Sequence, residues 1–254
     1  MQSIEAMLRE APGFAQLDSE VLERVAAAGD LVETCAGAVL FREGSLPESL
    51  YVLLEGRVSL TGTAPDASST VIDIVEPGGS FVLANVLADE PHLVGAQAIA
   101  GSLLVRIGAK PMREAIAMQP AAAMTMVRAM SAELSSMTRQ VVDLKVRIAA
   151  QRLGTYLLSL VKEPSAKQAA FRLPVSKGLL APWLGCRAEN LSRAFTSLRA
   201  FGVETHGSRV ILHDVSSLRA YAGACEPIPS GSGASVEQVF GDAFRLRAGP
   251  PREG

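Results

Sequence analysis

An uninterrupted heptad pattern in the second half of the chain constrains the fold more than any other sequence feature. Apolar residues spaced by three and four positions form a stripe along one side of a helix. Such a stripe is too narrow for a globular core and suits an identical partner helix. We therefore predict a long dimerisation helix over residues 119–148. The alternative is a helix that packs lengthwise on its own N-terminal domain. The predicted seam comprises Val127, Met130, Leu134, Met137, Val141, Leu144 and Ile148.

The segment before this helix has a different period. Short helical patterns over residues 4–29 precede six short β-rich runs, at 39–41, 50–54, 58–60, 71–75, 80–83 and 103–107. Short strands separated by glycine corners are typical of an antiparallel sandwich or barrel. We therefore predict an α+β protein whose residues 1–118 form an N-terminal antiparallel β-barrel. The corners are predicted at Gly37, Gly44, Gly56, Gly62, Gly78, Gly79 and Gly101.

Residues 149–222 have the proportions of a winged helix-turn-helix. Ser176 can cap a helix over 177–184, Gly185 opens a three-residue turn, and a longer helix follows over 188–201. Two β-rich stretches, 202–205 and 209–212, then predict a hairpin, or wing. Pro182 departs from this pattern because proline removes a helix hydrogen bond, at a cost of about 3 kcal/mol, and can kink the first helix.

One polar face of the second helix carries side chains that can read base edges. Arginine bonds guanine bidentately, glutamate accepts from the cytosine amino group, and serine reaches a base or a phosphate. We predict that Glu189, Ser192 and Arg193 read bases. Any amphipathic surface helix also shows charges on its outer face, so these residues alone do not decide the matter. The predicted phosphate contacts are Lys177, Arg187, Thr196, Arg199, His206 and Arg209.

The uneven spread of charge fits a C-terminal region that binds a polyanion, and taken alone it fits a chance fluctuation of charge between short segments equally well. Residues 1–118 contain 7 Lys/Arg against 16 Asp/Glu, whereas residues 172–213 contain 6 against 2. The 3 cysteines and 3 histidines are scattered, so we expect neither a metal site nor a disulfide framework, and no nucleophile–base constellation indicates an enzyme. Cys35 is expected to be buried and inert. We expect a cytoplasmic protein without a membrane segment, ending in a flexible extension over 223–254.

Five stretches carry a family resemblance. They are 40–44 (LFREG), 50–58 (LYVLLEGRV), 77–81 (PGGSF), 149–153 (AAQRL) and 184–195 (LGCRAENLSRAF). Together they resemble the CRP/FNR family of bacterial transcription regulators, and the E-x-x-S-R form at 189–193 is similar to its FNR/DNR branch. The resemblance implies a double-stranded β-helix of the cyclic-nucleotide-binding type, a homodimer, RNA polymerase as a partner and a palindromic TTGA-type DNA site.

The same resemblance bears on the effector. Cyclic-AMP-binding relatives have a Gly-Glu pair for the ribose and an Arg step for the phosphate. This chain has Leu83-Ala84 and Val94-Gly95 there, so we expect that it does not bind cyclic AMP. Residues 1–29 lack the cysteines of an iron–sulfur cluster. Haem stays open, although His92 is a lone loop histidine. A small molecule or gas would occupy a pocket made by Phe81, Leu83, Asn85, Val94 and Gln97.

Two functions follow from these patterns. The first is a homodimeric, sequence-specific transcription regulator whose barrel senses an effector other than cyclic AMP and repositions the winged helices. The alternative is a small-molecule receptor that acts through protein partners, with a winged helix made degenerate by Pro182. The sequence leaves open the effector, the choice between activation and repression, and the target genes.

Overall fold

The computed structural model of the protein describes residues 3–11, 13–64, 68–163 and 165–223. The predicted extension beyond Gly223, with Cys225, lies outside the described residues. Internal contacts divide the chain into two units. Among the described residues, one unit is built from those up to Gly62 together with Ile74–Ser135, and the other from Thr63–Asp73 together with those from Ser136 to Gly223.

The first unit begins with two short helices, as the sequence predicts. Helix α1 spans Ile4–Glu10 and α2 spans Ser19–Ala27. Asp18 stands at the N-cap of α2, and Val21, Leu22 and Val25 are buried on one face of that helix. This spacing is that of an amphipathic helix lying on a core.

Eight strands follow, and they form two four-stranded sheets with the orders β1-β8-β3-β6 and β2-β7-β4-β5. The central strand β3 pairs antiparallel with both β8 and β6, and β7 pairs antiparallel with β2 and β4. This arrangement confirms the predicted β domain and the α+β class. The strands are β1 (Gly29–Thr34), β2 (Val39–Phe41), β3 (Ser49–Glu55), β4 (Val58–Thr63), β5 (Ser69–Val75), β6 (Ser80–Phe81), β7 (Gly95–Ala98) and β8 (Ser102–Gly108).

Two local predictions about this domain are wrong, the strand at 80–83 and the burial of Cys35, and strand β7 was not predicted. The run at 80–83 does not continue as a strand, because Val82 takes a left-handed φ of 63° and helix α3 (Leu83–Ala88) begins directly after it. Strand β7 carries only Gly, Ala and Gln, so its sequence lacks the β-branched residues by which the other strands are recognised. Cys35 is exposed rather than buried, because it follows the end of β1 in a turn.

Helix α4 (Ala109–Ala117) closes the domain, and the predicted long helix follows as α5 (Pro120–Val146). The N-terminal part of α5 packs on the β domain through Ala122 and Met126, which join its buried core. Farther along, α5 has no buried residue. The buried residues of α5 therefore lie in its N-terminal part.

The second unit carries the predicted winged helix-turn-helix. Helix α6 spans Ala149–Ser159, and a three-stranded antiparallel sheet of order β10-β11-β9 packs with the remaining helices. The remaining elements are β9 (Ala169–Arg172), α7 (Lys177–Trp183), α8 (Ala188–Leu198), the 3-10 turn η1 (Arg199–Phe201), β10 (Val203–His206), β11 (Arg209–Leu212) and α9 (Val215–Ala222).

Candidate nucleic-acid interface

The first helix of the helix-turn-helix forms in spite of its proline. The Ser176 hydroxyl accepts the Leu179 N–H at 3.4 Å and caps α7. Pro182 occupies the last turn, and the Leu184 N–H donates to Leu180 O at 2.9 Å. A proline at i removes only the bond to the carbonyl at i−4, which here is Gly178 in the first turn. The proline is thus accommodated because the helix is short.

The turn between α7 and α8 requires a glycine for two reasons. Gly185 has a left-handed φ of 62°, and a Cβ built on it would overlap the Leu144 side chain at the end of α5. The Cys186 N–H then donates to Ala181 O at 2.9 Å, and Arg187 stands at the N-cap of α8. This turn fixes the direction in which α8 leaves it.

Helix α8 has one buried face and one exposed face. Leu191, Phe195 and Leu198 are at most 7% exposed, and the helix docks through them. Glu189, Ser192 and Arg193 are all exposed, as base reading requires. Within the described residues, neither Glu189 nor Arg193 takes part in an ion pair. Their charges therefore remain available to a ligand.

The predicted phosphate contacts surround this face. All six are exposed, and three of them, Lys177, Thr196 and Arg199, line one groove of about 210 Å³ between α7, α8 and β10. The Lys177 ammonium lies 4.7 Å from the centre of the Phe195 ring, a cation–π distance that positions it at this groove. Arg187 precedes α8 and lies apart from the groove. The residues that line the groove include Lys177, Ser192, Thr196, Arg199 and Thr205.

The wing projects two further predicted contacts. His206 and Arg209 face each other across the β10–β11 pair, and Gly207 turns the hairpin with a φ of 62°. His206 also bonds to Glu204, a residue that the sequence analysis did not select. Hydrogen bonds from His213 and His206 hold the pKa of the Glu204 carboxyl below its usual range. The i, i+2 spacing of Glu204 and His206 within a strand was the signal that placed them on one face.

Arg152 is a second residue that the sequence analysis missed as a contact. Its Nε donates to Leu184 O at 2.8 Å, and its terminal nitrogens donate to Gly185 O, Leu144 O and Arg147 O. One side chain therefore joins the end of α5, the start of α6 and the turn before α8. Arg152 lies in the 149–153 stretch that carries the family resemblance, and this position was the signal by which the sequence could have indicated it.

The predicted seam residues lie along α5 except for Ile148, because α5 ends at Val146 and Ile148 is the N-cap of α6. Six of the seven are between 45% and 66% exposed, a large value for apolar side chains. Met130 differs, because it packs partly against the core of the β domain. The six exposed residues are Val127, Leu134, Met137, Val141, Leu144 and Ile148.

The predicted effector residues do not share one environment. Phe81 and Leu83 are buried in the core of the β domain, and Val94 is half-buried. The Asn85 amide donates to Pro91 O at 2.9 Å. The prediction that Gln97 lines the effector pocket is wrong. On β7 it points to the exposed face, between the buried Ala96 and Ala98, and donates to Gly37 O at 2.9 Å, so it does not line the interior.

His92 is buried, with 3% of its surface exposed, and its ring stacks on Phe41 with centroids 4.0 Å apart. Burial lowers the pKa of His92, because a charged imidazole loses hydration there. In the described part of the chain, no group of three or more His, Cys, Asp or Glu side chains is arranged to hold a metal ion. No helix among the described residues is both long enough and apolar enough to cross a bilayer.

A β domain, a long helix with an exposed apolar stripe and a winged helix-turn-helix with a free arginine on its second helix together define a DNA-binding transcription regulator. Two family models match: "Cyclic nucleotide-binding domain" over residues 31–119 and "Crp-like helix-turn-helix domain" over residues 151–221. The chain belongs to the CRP/FNR family of transcription regulators.

Known relatives agree with this assignment. The chain is 27% identical to the transcriptional activator protein FnrA of Stutzerimonas stutzeri, covering 74% of this chain and 78% of the relative. It is also 27% identical to the nitrogen fixation regulation protein FixK of Bradyrhizobium diazoefficiens, covering 83% and 87%. The solved structure of FixK2 from Bradyrhizobium japonicum shares the fold, with a TM-score of 0.67 at 20% identity over 78% of this chain and 99% of that one. These relatives are regulators, which confirms that the chain is not an enzyme.

Proposed function

We propose that the protein is a homodimeric regulator that reads a palindromic TTGA-type site. In this proposal, residues 1–118 sense an effector, 119–148 pair with a second copy and 149–222 bind DNA, ahead of an extension over 223–254. The regulator acts in the cytoplasm with RNA polymerase as its partner. The single observation that carries the proposal is the row of exposed apolar side chains on α5, which continues to the helix end that Arg152 joins to the turn before α8.

The dimer follows from the energetics of that row. Leaving the six exposed residues of the predicted seam in water costs about 25 cal/mol of free energy for every Å² of apolar surface. Pairing two copies removes this cost. A twofold pair also places two copies of α8 on one duplex, which is why a palindromic site fits.

The effector would act through the same helix. Binding in the β domain changes the position of α5, whose N-terminal part belongs to that domain's core through Ala122 and Met126. The far end of α5 contacts the turn before α8 through Arg152 and Leu144. A movement of one end can therefore alter the placement of the other. The side chains at the expected nucleotide positions supply no cation, so the effector is a small molecule or gas other than cyclic AMP.

The rival function, a receptor with a degenerate winged helix, rested on Pro182. Helix α7 forms, is capped and packs on α8 with Leu180 fully buried, so this argument for degeneracy is removed. No other feature of the described residues favours the rival.

The decisive experiment is fluorescence anisotropy with the full chain at several salt concentrations. A labelled duplex with two TTGA half-sites is compared with a scrambled duplex of the same composition, and sedimentation gives the oligomeric state. We expect a dimer that prefers the palindrome by about 10³-fold or more, with an affinity that falls as salt rises. A monomer, or equal affinity for both duplexes, would overturn the proposal.

A further inference from the structure

Two histidines share one carboxylate on the wing. The Nε2 of His206 lies 2.7 Å from Glu204 Oε1, and the Nε2 of His213 lies 2.8 Å from Glu204 Oε2. Glu204 and His206 are two residues apart on β10, and His213 directly follows β11, where its N–H donates to Gly202 O at 2.8 Å. We call Glu204, His206 and His213 the wing cluster.

The wing cluster faces solvent rather than the core. Its side chains are 47% (Glu204), 66% (His206) and 53% (His213) exposed. All three line a groove of about 370 Å³ that Arg199 of η1 also lines. This groove and the smaller one beside α8 share Arg199 and Thr205. The wing cluster is thus continuous with the proposed DNA surface.

The charged groups around the cluster are few. Arg199 comes from η1, Arg209 stands opposite His206 on β11, and Arg172 of β9 stands opposite Arg209. Asp214 follows His213, but its carboxylate accepts from the Ser216 hydroxyl at 2.6 Å and from the Ser217 N–H at 2.9 Å. Glu204 is consequently the one carboxylate of this neighbourhood that faces the groove among the described residues.

The charge of this cluster depends on its protons. With both imidazoles neutral, Glu204 gives the cluster a net charge of −1, and the tip of the wing repels a phosphate. With both imidazoles protonated, the net charge is +1, and the same side chains attract one. An imidazole changes charge in the physiological pH range, whereas an ionised carboxylate bonded to two N–H donors remains ionised.

We propose that DNA binding by this protein takes up protons at the wing cluster. The phosphate that His206 approaches stabilises the imidazolium forms, so the complex holds more protons than the free protein. By linkage, affinity then rises as the pH falls. This inference rests on the proposed DNA-binding role of the wing. Through Glu204 and His213, this proton uptake would regulate DNA binding, because the affinity of the wing for DNA would depend on the pH.

The test measures anisotropy of the palindromic duplex from pH 6 to pH 8 at constant ionic strength. For the unaltered chain we expect affinity to increase by about tenfold from pH 8 to pH 6, which corresponds to an average uptake of about half a proton over this range. The double variant His206→Gln/His213→Gln keeps amide donors to Glu204 and fixes the cluster charge at −1. Whatever affinity the loss of the His206 contact leaves at pH 8, this variant should gain little more at pH 6, because its cluster charge no longer changes with pH.

A second variant tests the carboxylate. Glu204→Gln removes the negative charge of the carboxylate and should bind several-fold more tightly than the unaltered chain at pH 8, because a carboxylate no longer faces the phosphate. Glu23→Gln removes an exposed carboxylate of α2 and is the matched control, with no change expected. Calorimetry at pH 7 in two buffers of different ionisation enthalpy should show proton uptake by the unaltered chain and its loss in the double variant.

The outcomes separate this inference from the function on which it rests. If the double variant keeps the full pH dependence, or if Glu204→Gln leaves the affinity at pH 8 unchanged, proton uptake at the wing cluster is wrong and DNA binding stands. If no form of the protein binds the duplex at any pH, the proposed function fails and this inference fails with it. Thermal melts of each variant at both pH values show that the compared proteins are folded.

Discussion

The Nε of Arg152 donates to the main-chain oxygen of Leu184 at 2.8 Å, so the first turn of α6 holds the C-terminal end of α7. The same guanidinium donates to Leu144 O and Arg147 O where α5 ends. Planar guanidinium groups hold several acceptors at once, which an ammonium group on a flexible stem cannot do with the same geometry.

We therefore expect Arg152→Lys to weaken specific DNA binding by about tenfold and to destabilise the protein by about 1–3 kcal/mol, because the partly buried carbonyls of Leu184 and Arg147 lose their donors. Arg128→Lys is the control, since Arg128 is exposed on α5 and pairs with nothing in the described chain. Anisotropy and urea melts measure the two effects. Equal behaviour of the two variants would contradict the bridging role of Arg152.

Gly185 and Gly207 form a matched pair, because both have a φ of 62° but only Gly185 has a neighbour, Leu144, in the space of a Cβ. Each substitution by alanine carries the left-handed penalty of about 1–2 kcal/mol. Gly185→Ala should lower the free energy of unfolding more than Gly207→Ala does, because the new Cβ overlaps Leu144. Adding Leu144→Ala to Gly185→Ala should recover part of this difference. Chemical denaturation measures these free energies. Identical losses at both glycines would show that the Leu144 contact does not constrain the turn.

Substitution of Arg193 and substitution of Arg209 are predicted to impair DNA binding in different ways. Arg193→Ala should lose about 1–3 kcal/mol on the palindrome and relax specificity at one base pair, because a bidentate contact to a base is removed. Arg209→Ala should weaken binding to every duplex and lower the salt slope by about 1, because a phosphate contact is lost. Titrations with palindromic and scrambled duplexes separate the two. An equal loss on both duplexes for Arg193→Ala would refute base reading.

Val141 and Val142 provide a matched test of the seam, since both are 51% exposed but only Val141 belongs to the heptad stripe. Val141→Glu places two like charges in the interface and should shift the protein from dimer to monomer in sedimentation at micromolar concentration. Val142→Glu should leave the dimer intact. Dissociation by both variants, or by neither, would count against the predicted seam.

Asp214 caps α9, and its pKa is lowered, first by the bond from the Ser216 hydroxyl and then by the bond from the Ser217 N–H. A carboxylate whose folded pKa lies below its unfolded value contributes stability above the unfolded value, and this contribution disappears as the pH falls through the folded one. Asp214→Ala should therefore lower the melting temperature at pH 7 and should have a smaller effect near pH 3. Melting curves at both pH values measure this. A loss that is constant with pH would assign the effect to the helix backbone instead.

The periodicities of the sequence were sufficient for most of the elements and for their order. The heptads located α5, the glycine-separated runs located most strands, and the short helix, glycine turn and longer helix located α7 and α8. Periodicity did not predict β7, because its residues give no β signal. It also did not predict the end of the strand at Val82, because that residue takes an unusual backbone angle. Gln97 was predicted to line the interior of the domain. The pleat of β7 instead directs this side chain to the exposed face.

Periodicity and residue type thus determined what each segment becomes and which face of it is apolar, because these properties depend on residues a few positions apart. Only the tertiary structure decided which residues distant in sequence touch. Arg152 reaches the carbonyls of Leu184 and Gly185, Leu144 fills the space beside Gly185, and His213 joins Glu204 across the wing. Such contacts depend on how elements pack, and packing is a cooperative property of the whole unit that no local pattern encodes.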